Sequence, residues 1–222
     1  MTRQTESSGR GSDGSDIVRA EPAVVYFAKA PVPGTVKTRL CPPLTPEEAA
    51  ALYGAFLHQV VQPIPGARTL VYGWPRERLE LLAAHLPESF RAAQGELRGQ
   101  HGPDLWQRME HCIEELCAEG NRPVVIRNTD SPELEVELVL RAIGECGEGR
   151  LVLGPDSGGG YYLLGLNEPC PGLFTGLDEG ATTVFAATVR RAAEMGLDVV
   201  TLPERGDVDT FEDLLEMWRG RD

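Results

Sequence analysis

The chain of 222 residues lacks any hydrophobic run that approaches the roughly 20 residues needed to cross a membrane. The stretch before Asp16 is rich in Gly, Ser and Asp and has no apolar segment, so it does not have the pattern of a secretory signal. We predict that residues 1–20 form a disordered tail, and we expect no membrane span and a cytoplasmic protein.

Positive charge is also scarce, because 21 Lys and Arg residues face 34 Asp and Glu residues, for a formal net charge of -13. Nucleic acids and anionic membranes attract a basic protein surface, so this balance argues against either partner. Five cysteines are scattered without a Cys-x-x-Cys pair. Their spacing predicts reduced thiols rather than a disulfide framework or a zinc site.

The two common phosphate-binding loops are missing, since neither G-x-x-x-x-G-K-[ST] nor G-x-G-x-x-G occurs. A cationic loop nevertheless follows the apolar run 23–27. It contains two prolines and Gly34, which interrupt regular structure, together with Lys29, Lys37 and Arg39. Backbone N–H groups, an ammonium and a guanidinium can converge on a phosphate in such a loop. The alternative for a Lys-Thr-Arg triplet is a solvated turn.

Short apolar runs alternate with amphipathic segments along the rest of the chain, without an internal repeat. This alternation predicts one α/β domain over residues 21–222, a three-layer α/β/α sandwich with a mostly parallel mixed sheet. The predicted strands are 23–27, 67–72, 123–126, 151–153 and 199–202, with a short strand near Phe90 and an apolar run at 161–166. The predicted helices are 45–61, 76–86, 104–119, 133–143, 181–195 and 210–218.

Carboxylates follow two of the predicted strands. Asp130 comes after the strand 123–126, and Asp207 and Asp209 come after the last strand. In a parallel sheet, ligands bind beyond the carboxyl ends of the strands, so these carboxylates and the cationic loop could share one edge. Asp130 and Asp209 are therefore candidate metal ligands. Each is equally compatible with a turn former or a helix-start residue.

The run Phe27–Leu40, FAKAPVPGTVKTRL, resembles the opening signature of small bacterial transferases with the GT-A-like nucleotide-diphospho-sugar transferase fold. Members are often labelled glycosyltransferases or left as a domain of unknown function. Segments 128–132, 153–166 and 207–214 resemble the same family's aspartate, glycine-tyrosine and closing Asp-x-Asp-Thr segments. The Lys-Thr-Arg-Leu run is also similar to phospholactate guanylyltransferases, and the family is related to molybdenum-cofactor-type nucleotidyltransferases.

The resemblance implies a metal-dependent transferase that uses a nucleotide donor and a small-molecule acceptor. A nucleotide-sugar glycosyltransferase is the first expectation. The alternatives are a nucleotidylyltransferase that releases pyrophosphate from an NTP, of the guanylyl or cytidylyl kind, and a non-catalytic nucleotide-binding protein. Mg²⁺ or Mn²⁺ is the implied cofactor, held by Asp130 and Asp209. We also leave a homodimer open.

The resemblance also implies roles for individual residues. Lys37, Arg39 and Asp130 are the candidate catalytic residues, and Asp156 is the candidate general base. The chain departs from the family at Gly158, where an acidic residue is usual, and at Ser131, where a cysteine is usual. Both departures fall on the acceptor side.

The resemblance implies two sets of ligand contacts. The nucleotide would contact Phe27, Ala28, Lys29, Ala30, Gly34, Lys37, Thr38 and Arg39. The acceptor or sugar would contact Asp156, Gly159, Gly160 and Tyr161.

Overall fold

The computed structural model describes residues 20–178 and 182–219, so the predicted tail lies outside the described residues apart from Ala20. The strands are β1 Ala23–Lys29, β2 Arg68–Trp74, β3 Glu96–Gly99, β4 Val124–Arg127, β5 Leu151–Pro155, β6 Tyr161–Leu166 and β7 Val199–Thr201. The helices are α1 Pro46–Val60, α2 Leu79–Ala83, α3 Glu88–Ala92, α4 Leu105–Ala118, α5 Val136–Gly147, α6 Val184–Glu194 and α7 Phe211–Arg219.

The seven strands form one sheet in the order β3-β2-β1-β4-β6-β5-β7. Strand β6 runs antiparallel to both of its neighbours, β4 and β5, and the other pairs are parallel. The prediction of a single α/β domain with a mostly parallel mixed sheet is confirmed. The carboxyl ends of β1, β2, β3 and β4 therefore lie along one edge, where side chains distant in sequence can meet.

Helices cover both faces of the sheet. Val24 and Tyr26 of β1 point into a core shared with α1 and α5, while Ala23 and Val25 point into a core shared with α4 and α6. The first four residues of β1, 23–26, are buried between these layers, which explains why they are apolar at consecutive positions rather than at alternate ones. None of the helices in the described ranges is both long and apolar enough to cross a membrane.

A capping box begins helix α1, as its sequence predicts. The side chain of Thr45 accepts a hydrogen bond from the backbone N–H of Glu48, and the Glu48 carboxylate accepts one from the backbone N–H of Thr45. Pro46 occupies the first turn, where its missing N–H would have no partner in the helix. This arrangement fixes where the chain turns back from the loop that follows β1.

The strand predicted near Phe90 is wrong, because Phe90 lies in the short helix α3 and is 2% exposed. The chain turns under the Phe90 ring at Gly95, where a Cβ would lie 2.2 Å from the ring. An isolated apolar residue among polar ones has no period that distinguishes helix from strand. The helix predicted over 76–86 is also divided, into a 3₁₀ turn at Arg76–Arg78 and helix α2.

Candidate functional site

The loop after β1 turns Lys37 back toward the sheet. Gly34 and Lys37 both have positive φ angles, of 76° and 48°, and a short 3₁₀ helix, Thr38–Leu40, follows. A left-handed conformation costs a residue with a side chain about 1 kcal/mol. The Lys37 side chain is only 3% exposed, so this local cost accompanies an inward-facing cation.

Lys37 lies between two carboxylates from distant parts of the chain. Its Nζ contacts Oδ1 of Asp130 and lies 3.2 Å from Oδ1 of Asp209. Arg39 Nη1 lies 3.5 Å from the other oxygen of Asp209. The structure thus brings together the loop after β1, the segment after β4 and the segment before α7.

Lys37 stays protonated in this setting. Burial disfavours the ammonium, but the charges and hydrogen bonds of Asp130 and Asp209 outweigh burial, so the pKa of Lys37 is raised. A buried cation with two carboxylate partners avoids the large penalty of an unpaired buried charge. A fixed positive charge therefore lies at the centre of the candidate site.

Asp207 ties the two carboxylate-bearing segments together. Asn128 Nδ2 donates hydrogen bonds to both Asp207 oxygens, at 3.1 and 3.2 Å, and Ser131 Oγ donates another. The backbone N–H of Val208 donates to the carbonyl of Asp130 at 2.9 Å. Burial, with the nearby Asp130 and Asp156 charges, raises the pKa of Asp207 to about 6, against the lowering effect of the two hydrogen-bond donors.

The start of α7 holds Asp209 in place. Asp213 Oδ2 accepts hydrogen bonds from the backbone N–H groups of Asp209 and Thr210, at 3.1 and 2.6 Å. Thr210 Oγ1 accepts one from the backbone N–H of Asp213 at 3.3 Å, which is the cap that the sequence predicts. Sequence reasoning missed the roles of Asp207 and Asp213, although the Asp-x-Asp spacing marks this segment.

A cleft of about 360 Å³, here called the basic cleft, lies in front of Lys37. Among the described residues, its lining has four cations, Lys29, Lys37, Arg39 and Arg108, and two carboxylates, Asp130 and Asp209. Phe27, Ala28 and Thr38 also line it, whereas Ala30 is buried and Gly34 lies outside the lining.

Gln100 and Arg108 complete the basic cleft, and sequence reasoning did not identify either. Gln100 is 3% exposed, and its amide donates to the carbonyl of Tyr72 at 2.7 Å. The guanidinium of Arg108 lies 4.4 Å from the ring centroid of Trp74, in a cation–π contact. Gln100 follows an edge strand that the sequence pattern does not reveal, and Arg108 lies on a helix whose apolar residues gave the stronger signal.

A second cavity of about 510 Å³, here called the acidic cavity, adjoins the basic cleft. Both are lined by Arg39, Asp130 and Asp209, so they meet at the ion-paired group. Asp156, Gly160 and Tyr161 line the acidic cavity as well, and Asp156 Oδ1 accepts a hydrogen bond from the Gly160 N–H at 2.8 Å.

Gly159 does not line either space. Its φ is 89°, and a Cβ there would lie 1.9 Å from the carbonyl oxygen of Thr182. The Gly159 carbonyl accepts a hydrogen bond from the backbone N–H of Phe185 at 2.9 Å. The glycine is thus needed where the β5–β6 turn packs against the start of α6.

Asp130 and Asp209 supply too few ligands to hold a divalent cation alone, so a substrate must supply further oxygen ligands. Within residues 20–178 and 182–219, no group of three or more His, Cys, Asp or Glu side chains could hold a metal ion. Asp130 and Asp209 contact the same ammonium, so both carboxylates can face one cation. Mg²⁺ is commonly held by one or two carboxylates, with phosphate oxygens and water as the remaining ligands.

Solved structures similar to this chain include proteins from three bacteria, and no curated protein sequence matches. A Desulfovibrio desulfuricans protein assigned as a nucleotide-diphospho-sugar transferase is 32% identical, with 91% of this chain and 88% of that chain covered and a TM-score of 0.83. A Leptospira borgpetersenii cytidylyltransferase is 9% identical, with coverages of 88% and 84% and a TM-score of 0.55. A manganese complex of a Mycobacterium tuberculosis protein is 13% identical, with coverages of 90% and 99% and a TM-score of 0.51.

The last two likenesses concern the fold alone. The family model described as "Uncharacterized protein conserved in bacteria (DUF2064)" matches residues 57–181, which is more than half of the chain. This protein therefore belongs to the DUF2064 family and has the nucleotide-diphospho-sugar transferase fold.

Proposed function

We propose that this enzyme is a divalent-metal-dependent transferase that binds the phosphates of a nucleotide donor in the basic cleft and transfers a sugar to a small-molecule acceptor. The observation that carries the proposal is the charge of the cleft. Four cationic side chains and two carboxylates line it, in a chain whose net charge is -13. The positive charge of the basic cleft is opposite in sign to the net charge of the protein. Such a site suits a polyanionic ligand.

Lys37 and Arg39 would hold the donor diphosphate. Lys37 is buried and already charged, so it can meet a phosphate without first taking up a proton. Arg39 is 71% exposed and can move its guanidinium onto a phosphate. Positive charge fixed at the departing phosphate stabilises the transition state more than the ground state, because negative charge builds there as the bond breaks.

Asp130 and Asp209 would hold the Mg²⁺ or Mn²⁺ ion together with donor phosphate oxygens. When bound, such an ion offsets the charge that collects on the leaving diphosphate. The manganese complex of the M. tuberculosis protein with the same fold supports this choice of ion class. The hydrogen bonds from Asn128 and Ser131 to Asp207 would hold the segment that carries Asp130 next to the segment that carries Asp209.

In glycosyl transfer, an acceptor oxygen forms a bond to the sugar's anomeric carbon as the bond from that carbon to the phosphate oxygen breaks. The bonding electrons leave with the nucleoside diphosphate, and the acceptor proton passes to a base, for which Asp156 is the candidate. The acidic cavity adjoins the ion-paired group and so offers the acceptor a place next to the donor. The D. desulfuricans relative supports the sugar chemistry.

A homodimer and a cytoplasmic location remain predictions.

Nucleotidylyl transfer is the second candidate, because four cations in one cleft also suit a triphosphate. In that reaction the acceptor attacks the α-phosphorus and pyrophosphate leaves. The third candidate, binding without catalysis, follows from Gly158, which stands where the family usually has an acid.

Product analysis distinguishes these candidates. The protein is incubated with each of the four NTPs and with nucleotide sugars, in Mg²⁺ or Mn²⁺, with and without pooled acceptors. Release of a nucleoside diphosphate supports glycosyl transfer, release of pyrophosphate supports nucleotidylyl transfer, and binding without turnover supports a non-catalytic protein. Lys37→Ala should abolish the reaction, whereas Arg78→Ala removes an exposed cation outside the basic cleft and should not. Absence of any nucleotide binding overturns the proposal.

A further inference from the structure

We infer that the acceptor is a neutral polyhydroxylated molecule of the sugar class, and that it is not phosphorylated or carboxylated where it enters the acidic cavity. This inference rests on the proposed function, because it concerns the ligand that lies beside the donor. It comes from the contrast in charge and in polarity between two spaces that share one wall.

The charge of the acidic cavity is opposite to that of the basic cleft. Among the described residues, its lining contains one cation, Arg39, whose guanidinium already lies 3.5 Å from Asp209. It also contains five carboxylates, those of Asp130, Asp156, Asp207, Asp209 and Asp213. In the proposed function Asp130 and Asp209 hold the metal ion, so they are not available to repel the acceptor. Asp156, Asp207 and Asp213 still repel a phosphate or carboxylate on the acceptor, and Arg39, the one cation in this lining, is already paired.

All five carboxylates already have a donor or an ion-pair partner, which for Asp156 is the Gly160 N–H. Lys37 contacts Asp130 and Asp209, Asn128 donates to Asp207, and two backbone N–H groups donate to Asp213. The cavity therefore has less unmet negative charge than the count of carboxylates suggests. This argues for a neutral ligand over a cationic one.

Asp156 is one of three carboxylates in this lining, with Asp130 and Asp213, that have one oxygen without a hydrogen bond or ion pair from the described residues. It is the one that we propose as the general base beside the acceptor. Its Oδ1 accepts from the Gly160 N–H at 2.8 Å, and within the described part of the chain no hydrogen bond reaches Oδ2. An ionised carboxylate can only accept hydrogen bonds, so the group that meets Oδ2 must be a donor, such as a hydroxyl.

The lining of the acidic cavity also contains apolar and aromatic side chains, those of Leu105, Trp106, Tyr161 and Val184. The Trp106 and Tyr161 rings lie 6.3 Å apart at an angle of 51°. The Trp106 ring is fixed by a hydrogen bond from its Nε1 to the carbonyl of Leu177 at 3.0 Å. A lining that combines aromatic side chains with carboxylates suits a ligand that has both C–H faces and hydroxyl groups, and a sugar ring has both.

Saturation-transfer NMR on the full chain tests this inference with three probes that share one ring and differ in charge: glucose, glucose 6-phosphate and glucosamine. The protein is first loaded with Mg²⁺ and whichever nucleoside diphosphate binds it. We expect glucose to bind, and glucose 6-phosphate to bind about tenfold more weakly or not at all, because of repulsion by the carboxylates.

Two variants locate the effect. Asp156→Asn keeps an oxygen for the Gly160 N–H but replaces the charged acceptor with a neutral amide N–H. A glucose hydroxyl then loses a charge-assisted hydrogen bond, so glucose should bind more weakly. Asp156→Lys should reverse the preference between glucose and glucose 6-phosphate. Asp198→Lys is the matched control, since Asp198 is exposed beside the amino ends of β5 and β7, away from the site, and the preference should not change.

The inference is overturned if glucose 6-phosphate binds as tightly as glucose, if glucosamine alone binds, or if glucose does not bind. It is also overturned if Asp156→Lys leaves the preference unchanged. In each of these results the nucleoside diphosphate still binds, so the proposed function stands. Failure of every nucleotide to bind would instead remove the proposed function, and with it the basis of this inference.

Discussion

Lys37 Nζ lies 3.2 Å from Oδ1 of Asp209, although 172 residues separate the two in sequence. The same ammonium contacts Asp130, so one cation joins the front, the middle and the end of the domain. The ammonium occupies the space between two carboxylates that we propose for a metal ion. Lys37 and a divalent cation must therefore compete for Asp130 and Asp209 unless phosphates draw Lys37 away.

Lys37→Met should raise the affinity for Mn²⁺ in the absence of nucleotide, because it removes the competing ammonium and retains a side chain of similar length. Mn²⁺ binding can be followed by electron paramagnetic resonance of the free ion. We expect an increase of about tenfold. In the parent protein, Mn²⁺ should bind more tightly once nucleotide is present. Equal Mn²⁺ affinity in the two proteins would contradict the competition.

Asp207→Asn should stabilise the protein at pH 8. The pKa of Asp207 is raised to about 6, whereas an unfolded aspartate has a pKa of about 3.9. Ionisation of Asp207 therefore costs stability, and this cost grows between about pH 4 and pH 6 and stays constant above that range. The variant removes the charge and should gain about 1–3 kcal/mol at pH 8, less at pH 5.

Urea unfolding at pH 8 and pH 5 measures this difference. Asp198→Asn, at an exposed position, is the control and should have little effect at either pH. A loss of stability in Asp207→Asn at pH 8, or a gain of the same size at both pH values, would show that the ionised form is not disfavoured.

Arg98→Ala should destabilise the β3 edge of the sheet. Arg98 contacts Glu96, Glu115 and Glu119, and its hydrogen bond with Glu119 is the first cause of the lowered pKa of that carboxyl. A lowered carboxyl pKa contributes stability above the unfolded value, and this contribution is lost as the pH falls through the folded value. We expect a loss of about 1 kcal/mol at pH 7.

Urea unfolding at pH 7 and near pH 3, in low and high salt, checks the Arg98 prediction. The loss should shrink in acid and in salt, because both weaken the charge pairs. If the stability lost in Arg98→Ala does not depend on pH or salt, the stabilisation comes from packing of the Arg98 methylene groups and not from its ion pairs.

Gly159→Ala and Gly158→Ala form a matched pair of substitutions. At Gly159 the φ is positive and a Cβ would lie 1.9 Å from the Thr182 carbonyl oxygen, so the backbone must move. At Gly158 the nearest atom is 3.2 Å away and belongs to the Asp156 side chain, which can shift. We expect Gly159→Ala to lose about 2 kcal/mol of stability or more, and Gly158→Ala under about 1 kcal/mol. Thermal unfolding measures both, and equal effects would contradict the packing described here.

Much of the edge that holds the site could be predicted from the sequence, because its residues directly follow apolar strands. Asp130 follows β4 and the Lys37 loop follows β1, and parallel strands bring such positions to the same edge. The cap at Thr45 was predictable for a similar reason, since its partners are three residues apart.

The sequence could not reveal residues whose position depends on the fold as a whole. Gln100 comes after a four-residue edge strand whose residues are all half-buried, so no apolar period marks it. Asp207 has its buried setting only because Asn128 and Ser131 reach it from 79 and 76 residues away. Phe90 was misassigned because a single apolar residue is compatible with either kind of element.

The most direct test of the site is the affinity for nucleoside diphosphates in Mg²⁺, measured by isothermal titration calorimetry on the parent protein, Lys37→Ala, Asp130→Ala and Arg78→Ala. The account predicts that one or more of the diphosphates binds the parent and Arg78→Ala alike, and that Lys37→Ala and Asp130→Ala bind it at least about tenfold more weakly while remaining folded by circular dichroism. Folded Lys37→Ala and Asp130→Ala proteins that bind nucleotide as tightly as the parent would contradict it.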